Sequence, residues 1–523
     1  MPRERSDSLF QLIKSLNKNE KRYVKLFISR VNGGKDKKNL LLFDLINRQE
    51  EFDEDEILRK GKEIKEQQLS NLKAELYRQV LQSIRLFHTN NIVDLEIRQS
   101  IDFAQILFDR CMYKDGLKLL QKAKKMARSH DNLELILETI KLEKSVMSQT
   151  IDSENQKRVS KIIQEASQIN NKINLINQIS NLSDRLNALY KKVGFIRDQR
   201  DFNTFEKYFY RSLPPHKEED LSVLEKIYLY NLYIGYYFFI QDFENGCLYA
   251  RQMVELFDQH PSFIHSRTDF YIQGINKLLI AQFKLSRYYE FVATSQKLQE
   301  VSMIPSLRLN EDIKARLFKY INLHEINRYF LLGDFEGGIQ KISQIEQGLE
   351  KFIDRLDKHS TIIFYYKIAC LYFGASDFKN TNVWLQKIIN MPNVDLRQDI
   401  HSFARIMLLI SHYELENIDL IDYYMRSTYR FLAKKHDLRL FQTYILKFIK
   451  DLNKGITEDK LISKFRKLRT QLLSLTNKSY ERRAFIYFDI ISWLESKIEK
   501  RSIQEIIREK ATRKIQQQLP EVA

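Results

Sequence analysis

Three short stretches hold side chains that could do chemistry if their spacing were right. "VNGGKDKK", Val31 to Lys38, puts two glycines before a lysine, as phosphate-cradling loops do. It lacks the wider glycine spacing, and no hydroxyl residue follows the lysine to reach a magnesium ion. "LHEINRY", Leu323 to Tyr329, opens with the His-Glu pair of a helical zinc site, but Arg328 stands where the second histidine has to be. "FDEDEI", Phe52 to Ile57, is acidic, yet it has neither the mid-loop glycine nor the distal glutamate of a calcium loop. Cys111, Cys247 and Cys370 lie far apart with no CxxC, and the ten histidines are scattered. No GxGxxG or GxSxG occurs. The reading is of a non-enzymatic protein with no catalytic residue, metal or cofactor.

What remains is a scaffold that must position something other than a reaction centre. The chain has 523 residues, 43% hydrophobic and 29% charged, enough apolar material for large cores. Only 7 Pro and 14 Gly interrupt it, so few helix breakers are spread over a long chain and an all-α fold follows. The net charge of +17 raises a nucleic-acid role, but it also fits the Lys-, Asn- and Ile-rich usage of an AT-rich genome. The start has no apolar run fit for a signal peptide. "IYLYNLYIGYYFFI", 227 to 240, is too short for a membrane span and reads as a buried helix. With sparse cysteines, the expected compartment is a reducing cytoplasm.

The elements come as helical hairpins. In "YYKIACLYFGASDFKNTNVWLQKIINMP", Tyr365, Ile368, Ala369 and Tyr372 share one helical face, "ASD" makes a turn, and Phe378 opens a second helix. The same shape centres on Tyr113, Phe243 and Phe335, and more faintly on Ile151, Phe202, Tyr288 and Ile418. These anchors fall roughly 40 to 50 residues apart, the period of a helical repeat. Pro214, Pro261, Pro305 and Pro392 each follow an anchor and close a second helix. Gly246 and Gly338, three residues after their anchors, let paired helices approach.

Residues 1–95 differ: they read as short helices, with Asn17 and Glu20 spaced as a capping box, before a long helix with Leu69, Leu72, Leu76, Val80 and Ile84 on one face. This segment is either a cap or a helix-turn-helix that would offer Lys73, Arg78 and Gln82 to DNA. Residues 96–435 hold the repeats. Residues 436–523 are further helices, with Trp493 on an apolar face beside Phe485, Phe488, Ile490 and Leu494, and a basic, frayed tail.

The hairpins resemble tetratricopeptide repeats. "LLGDFEGGI" has that family's Gly-Asp-aromatic turn in Gly333, Asp334 and Phe335, with the small Gly338 after it. "GASDFKNT" departs, with Ser376 for Gly and Thr381 for Ala. The whole chain also resembles bacterial proteins of unestablished activity that open with a "SLNKNEKRYVKLF"-like segment. The resemblance implies a right-handed α-solenoid of hairpins with helical caps at both ends, whose first helices line a concave groove. Aligned on the anchors, one groove position carries Lys191, Lys277, His324 and Lys367, and an adjacent one Tyr190, Asn231, Asn276 and Tyr366. Asn can bond a peptide backbone as donor and acceptor, and Lys can meet carboxylates. The expected function is a protein-interaction scaffold that binds a partner's segment, an acidic one suiting the lysines. The alternative is a transcriptional regulator with a DNA-binding N-terminal domain and a repeat region as sensor.

Overall fold

A computed structural model of the chain describes residues 8–31, 37–89, 92–147, 155–193, 199–304, 311–391, 397–434, 440–452, 458–476, 485 and 489–518. Outside the described residues lie most of the "VNGGKDKK" loop, Ile151, Pro305, Pro392, Phe488, the tail from 519, and the side chains of Lys191 and Ile418. Everything described is helix or short connection, with no strand among these residues. No helix is long and apolar enough to cross a membrane among the described residues. The chain forms two compact units, Met1–Ile173 and Asn174–Ala523.

The first unit contains α1 (Ser8–Ser15), α2 (Lys18–Val31), α3 (Lys37–Arg48), α4 (Glu54–Lys60), α5 (Glu66–His88), α6 (Val93–Asp109), α7 (Tyr113–Ser129), α8 (Leu133–Met147) and the start of α9 (Asn155–Val193). The box expected before α2 is present: the Asn17 amide donates to Glu20 Oε2 at 2.8 Å, and the Glu20 amide donates back to Asn17 Oδ1 at 2.9 Å. On α5, Leu69, Leu76 and Val80 are buried as their spacing predicts, packed with Leu42, Phe43 and Ile46 of α3. That helix's polar residues are not a free basic stripe. Lys73 Nζ lies 2.7 Å from Glu54, and Arg78 bonds its neighbour Glu75.

The second unit continues through α10 (Gln199–Ser212), α11 (Val223–Phe239), α12 (Phe243–Gln259), α13 (Ser262–Ser266), α14 (Thr268–Lys284), α15 (Tyr288–Ser302) and α16 (Glu311–Leu332). Then come α17 (Phe335–Ile339), α18 (Ile342–Phe352), α19 (Lys358–Gly374), α20 (Phe378–Ile389), α21 (Gln398–Glu414), α22 (Ile418–Lys434) and α23 (Leu440–Leu452). The unit ends with α24 (Glu458–Thr476), α25 (Ile490–Glu499) and α26 (Ile503–Gln516). Tyr113, Phe243, Tyr288, Phe335, Phe378 and Ile418 are each the first residue of a second helix, where the sequence placed them. Phe202 differs and lies inside α10. The helix after Phe335 also differs, since it breaks between α17 and α18.

The hairpin turns share one geometry. A residue with left-handed backbone stands at Cys111, Gln241, Ser286, Gly333, Ser376 and Glu416. The next amide reaches back to a carbonyl in the last turn of the first helix: Asp242 to Tyr237 at 2.9 Å, Arg287 to Gln282 at 2.9 Å, Asp334 to Tyr329 at 3.0 Å, Asp377 to Tyr372 at 2.8 Å. This closes orphan carbonyls as helix C-termini require. Asp242, Asp334 and Asp377 then cap the second helix through their carboxylates. Only one of these left-handed positions is glycine, so composition alone hides the recurrence.

Consecutive hairpins pack on one another, α12 against α14 and α20 against α21, while first helices also meet, α11 with α14 and α14 with α16. This explains the all-round apolar "IYLYNLYIGYYFFI". One side of α11, with Ile227, Ile234 and Phe238, joins the core made with α12 and α14, and the other, with Leu229, Leu232 and Tyr236, joins that made with α9 and α10. A helix between two neighbours buries both faces. Gly246 shows the close approach: a Cβ there would lie 2.8 Å from the Phe238 ring.

Candidate functional site

The first helices converge on one cavity of about 540 Å³ inside the second unit. Its walls come from α11, α14, α16 and α19, from the end of α9, from Arg397 and Ile400 at the start of α21, and from Ile503 and Ile507 of α26. Of the residues singled out by sequence, Asn276, Lys277, His324 and Lys367 line it, with Tyr190 and Tyr366. Asn231, half-buried on α11, does not. The side chain of Lys191 is not among those described.

These residues are not a loose row of solvated groups, because neighbouring hairpins tie several of them together. His324 Nε2 is 2.9 Å from Asn276 Oδ1 on α14, and His324 Nδ1 is 3.1 Å from Asn327 Nδ2. Lys367 Nζ of α19 donates to Asn327 Oδ1 at 2.5 Å. The chain of bonds fits a neutral imidazole with its proton on Nε2, donating to Asn276 and accepting from Asn327. Burial, then the nearby Lys367 charge, pulls His324 down to about 3, so it stays neutral. Asn276 and His324 are buried, which means that they knit three hairpins together as well as face the cavity.

The lysines are the chemical feature of the site. Lys277 Nζ sits 5.2 Å over the Phe238 ring, and burial followed by the Lys319 charge pulls its ammonium down to about 8. Lys367 lies over the rings of Phe283 and Phe330 at 5.0 and 5.3 Å, and burial draws it down to about 8. Lys284, against Phe283, is drawn down to about 7 by burial, then by the Lys367 and Arg397 charges. Each lysine is half-buried by area, and what it shows to water is the cavity. Two other cations carry their own carboxylates. Lys319 lies 3.5 Å from Asp357, and Arg397 grips Asp399 through Nε and Nη2 at 2.9 and 2.8 Å. No carboxylate pairs with Lys277 or Lys367 among the described residues.

The sequence missed Lys284, Lys319 and Arg397. Lys284 carried a signal, since it lies two helical turns beyond Lys277 on the same face. Arg397 carried none, because its position depends on a left-handed backbone before α21. Nor did any signal bring α26 here. That helix runs along the hairpin turns. The Gln504 side chain accepts from the Glu336 amide at 3.0 Å, Arg508 pairs with Asp334 at 3.2 Å, and Gln518 bonds both Ser286 and Tyr288. Among the described residues no group of three His, Cys, Asp or Glu converges as metal ligands.

No family model matches the chain. No curated protein is significantly similar to it.

Proposed function

We propose that this protein is a non-enzymatic interaction scaffold of the cytoplasm, a right-handed solenoid of tetratricopeptide-like hairpins that receives an acidic segment of a partner protein on its concave side. The recurring turn geometry and the stacking of consecutive hairpins support the solenoid. The observation that carries the binding role is the pair Lys277 and Lys367, held in one cavity against neutral rings and amides with no carboxylate of their own among the described residues. Buried charge is costly unless paired, and a ligand carboxylate is the partner that such a site lacks. The DNA-reading alternative has less behind it, because Lys73 and Arg78 already face carboxylates.

The test is fluorescence anisotropy with a labelled Glu-rich peptide. Binding should weaken with salt and be lost in the Lys277→Gln/Lys367→Gln protein, while Lys387→Gln, on α20 outside the cavity, should not change it. No binding, or equal binding by the double variant, would overturn the reading.

A further inference from the structure

We propose that the cavity of the second unit is a receptor site for a small polyanion, a molecule with two or more negative charges of phosphate or carboxylate type on neighbouring atoms. The inference goes beyond the scaffold reading and does not need it, although such a ligand would compete with an acidic segment.

Enclosure is the first argument. Tyr190, near the end of α9, meets His359 of α19 with ring centroids 6.3 Å apart, and Arg397 lies 5.9 Å over the same tyrosine ring. The end of α9 therefore reaches the beginnings of α19 and α21. On the turn edge, α26 contributes Ile503 and Ile507 to the wall. Walled on these sides, a space of about 540 Å³ falls within the range of roughly 300–1,000 Å³ usual for small-molecule pockets.

Charge is the second. Around Lys277, Lys284 and Lys367, α16 offers Lys319, Tyr320 and His324, and α19 offers His359, Tyr366 and Cys370. Arg397 stands at α21, Tyr190 on α9, and Asp489 before α25. Lys319 and Arg397 are offset by Asp357 and Asp399, and the Asp489 carboxylate is engaged in capping α25 through Ser492. His324 and His359, held down to about 3 and about 4 by burial first, are neutral, and burial keeps the Cys370 thiol protonated, up to about 12. What is left is the pair Lys277 and Lys367, two ammoniums on the wall of one cavity with no carboxylate against them among the described residues. One negative charge would offset one of the two; a polyanion offsets both. The rings of Phe238, Phe283 and Phe330 behind the ammoniums would carry the apolar body of such a ligand.

A consequence separates this site from a solvated basic patch. Near pH 8, Lys277 and Lys367, drawn down to about 8 chiefly by burial, are only partly protonated. An anion that binds there restores their charge, so binding takes up protons from buffer.

The experiment is isothermal titration calorimetry of the full chain at pH 8 with sodium pyrophosphate and, separately, sodium citrate, each in two buffers of different ionisation heat. The expected result is binding with a heat that depends on the buffer in the sense of proton uptake. Lys277→Met and Lys367→Met should each weaken it at least about tenfold, the loss expected for a hydrogen bond to a charged group. Both proteins should keep the circular dichroism of the parent. Pyrophosphate alone would identify a phosphate ligand, citrate alone a carboxylate one. The proposal falls if neither binds at millimolar concentration, if a citrate binding heat is the same in both buffers (citrate is fully ionised at pH 8, whereas pyrophosphate still carries a proton that it can supply itself), or if both variants bind as the parent does. Should a variant fail to fold, the buffer dependence of the parent still decides. Pyrophosphate binding without Glu-rich peptide binding would sink the scaffold reading alone, and the reverse result would sink this proposal alone.

Discussion

Removing the two cavity lysines should stabilise the fold, and the gain should fade as the pH rises. An unfolded lysine keeps its proton to about pH 10.5, whereas Lys277 and Lys367 in the cavity hold theirs only to about 8. Between those values the unfolded chain binds more protons, so stability increases with pH across the window. From pH 7 to pH 9 a group with folded pKa about 8 contributes at most roughly 1.4 kcal/mol of this rise. Two lysines give a ceiling near 3 kcal/mol, and cavity water lowers it to about 1–2 kcal/mol. The Lys277→Met/Lys367→Met protein should therefore exceed the parent in stability at pH 7, with the difference shrinking by about 1–2 kcal/mol by pH 9. Urea denaturation followed by far-UV circular dichroism, with both proteins at both pH values, reads it. The raised tyrosine pKa values, Tyr233 and Tyr237 at about 12, are common to both proteins and cancel. A double variant less stable than the parent at pH 7, or a difference independent of pH, would refute burial of these amines. Lysines fully solvated in an open groove would leave stability unchanged at either pH.

Phe335→Ala should cost about 3–5 kcal/mol, because that ring is buried against Phe330 and Gly374, whereas Phe378→Ala, half-buried, should cost less, about 1–3 kcal/mol; denaturant midpoints of the two variants check the order. Gly333→Ala forces a side chain onto a backbone with φ of 64° and puts its Cβ 2.6 Å from the Arg508 amide, so α26 should leave the turns and limited proteolysis should clip it faster while helix content stays nearly constant. Asn17→Ala, which removes half of a reciprocal cap, should lower stability by about 1 kcal/mol in a thermal melt monitored in the first unit.

The local elements were legible because they follow from local physics. Hydrophobic spacing and the aromatic after each Asp or Ser-Asp turn mark where second helices begin, and Phe243, Phe335 and Phe378 stand there. Spacing also brought Asn276, Lys277, His324 and Lys367 to one cavity, since residues at equal distance from equal turns face the same way when hairpins stack. Sequence could not say how far that cavity is removed from water. The environment of Lys277 depends on the Phe238 ring of one hairpin and the Lys319 charge of another, and the His324 tautomer depends on Asn276, 48 positions away. Nor could it bring Tyr190 to Arg397, or α26 to turns more than 150 residues earlier, where Gln504 meets Glu336 across 168 positions. Those meetings are contacts between segments far apart in the chain, set by the packing of every helix between them, and no single residue type records them.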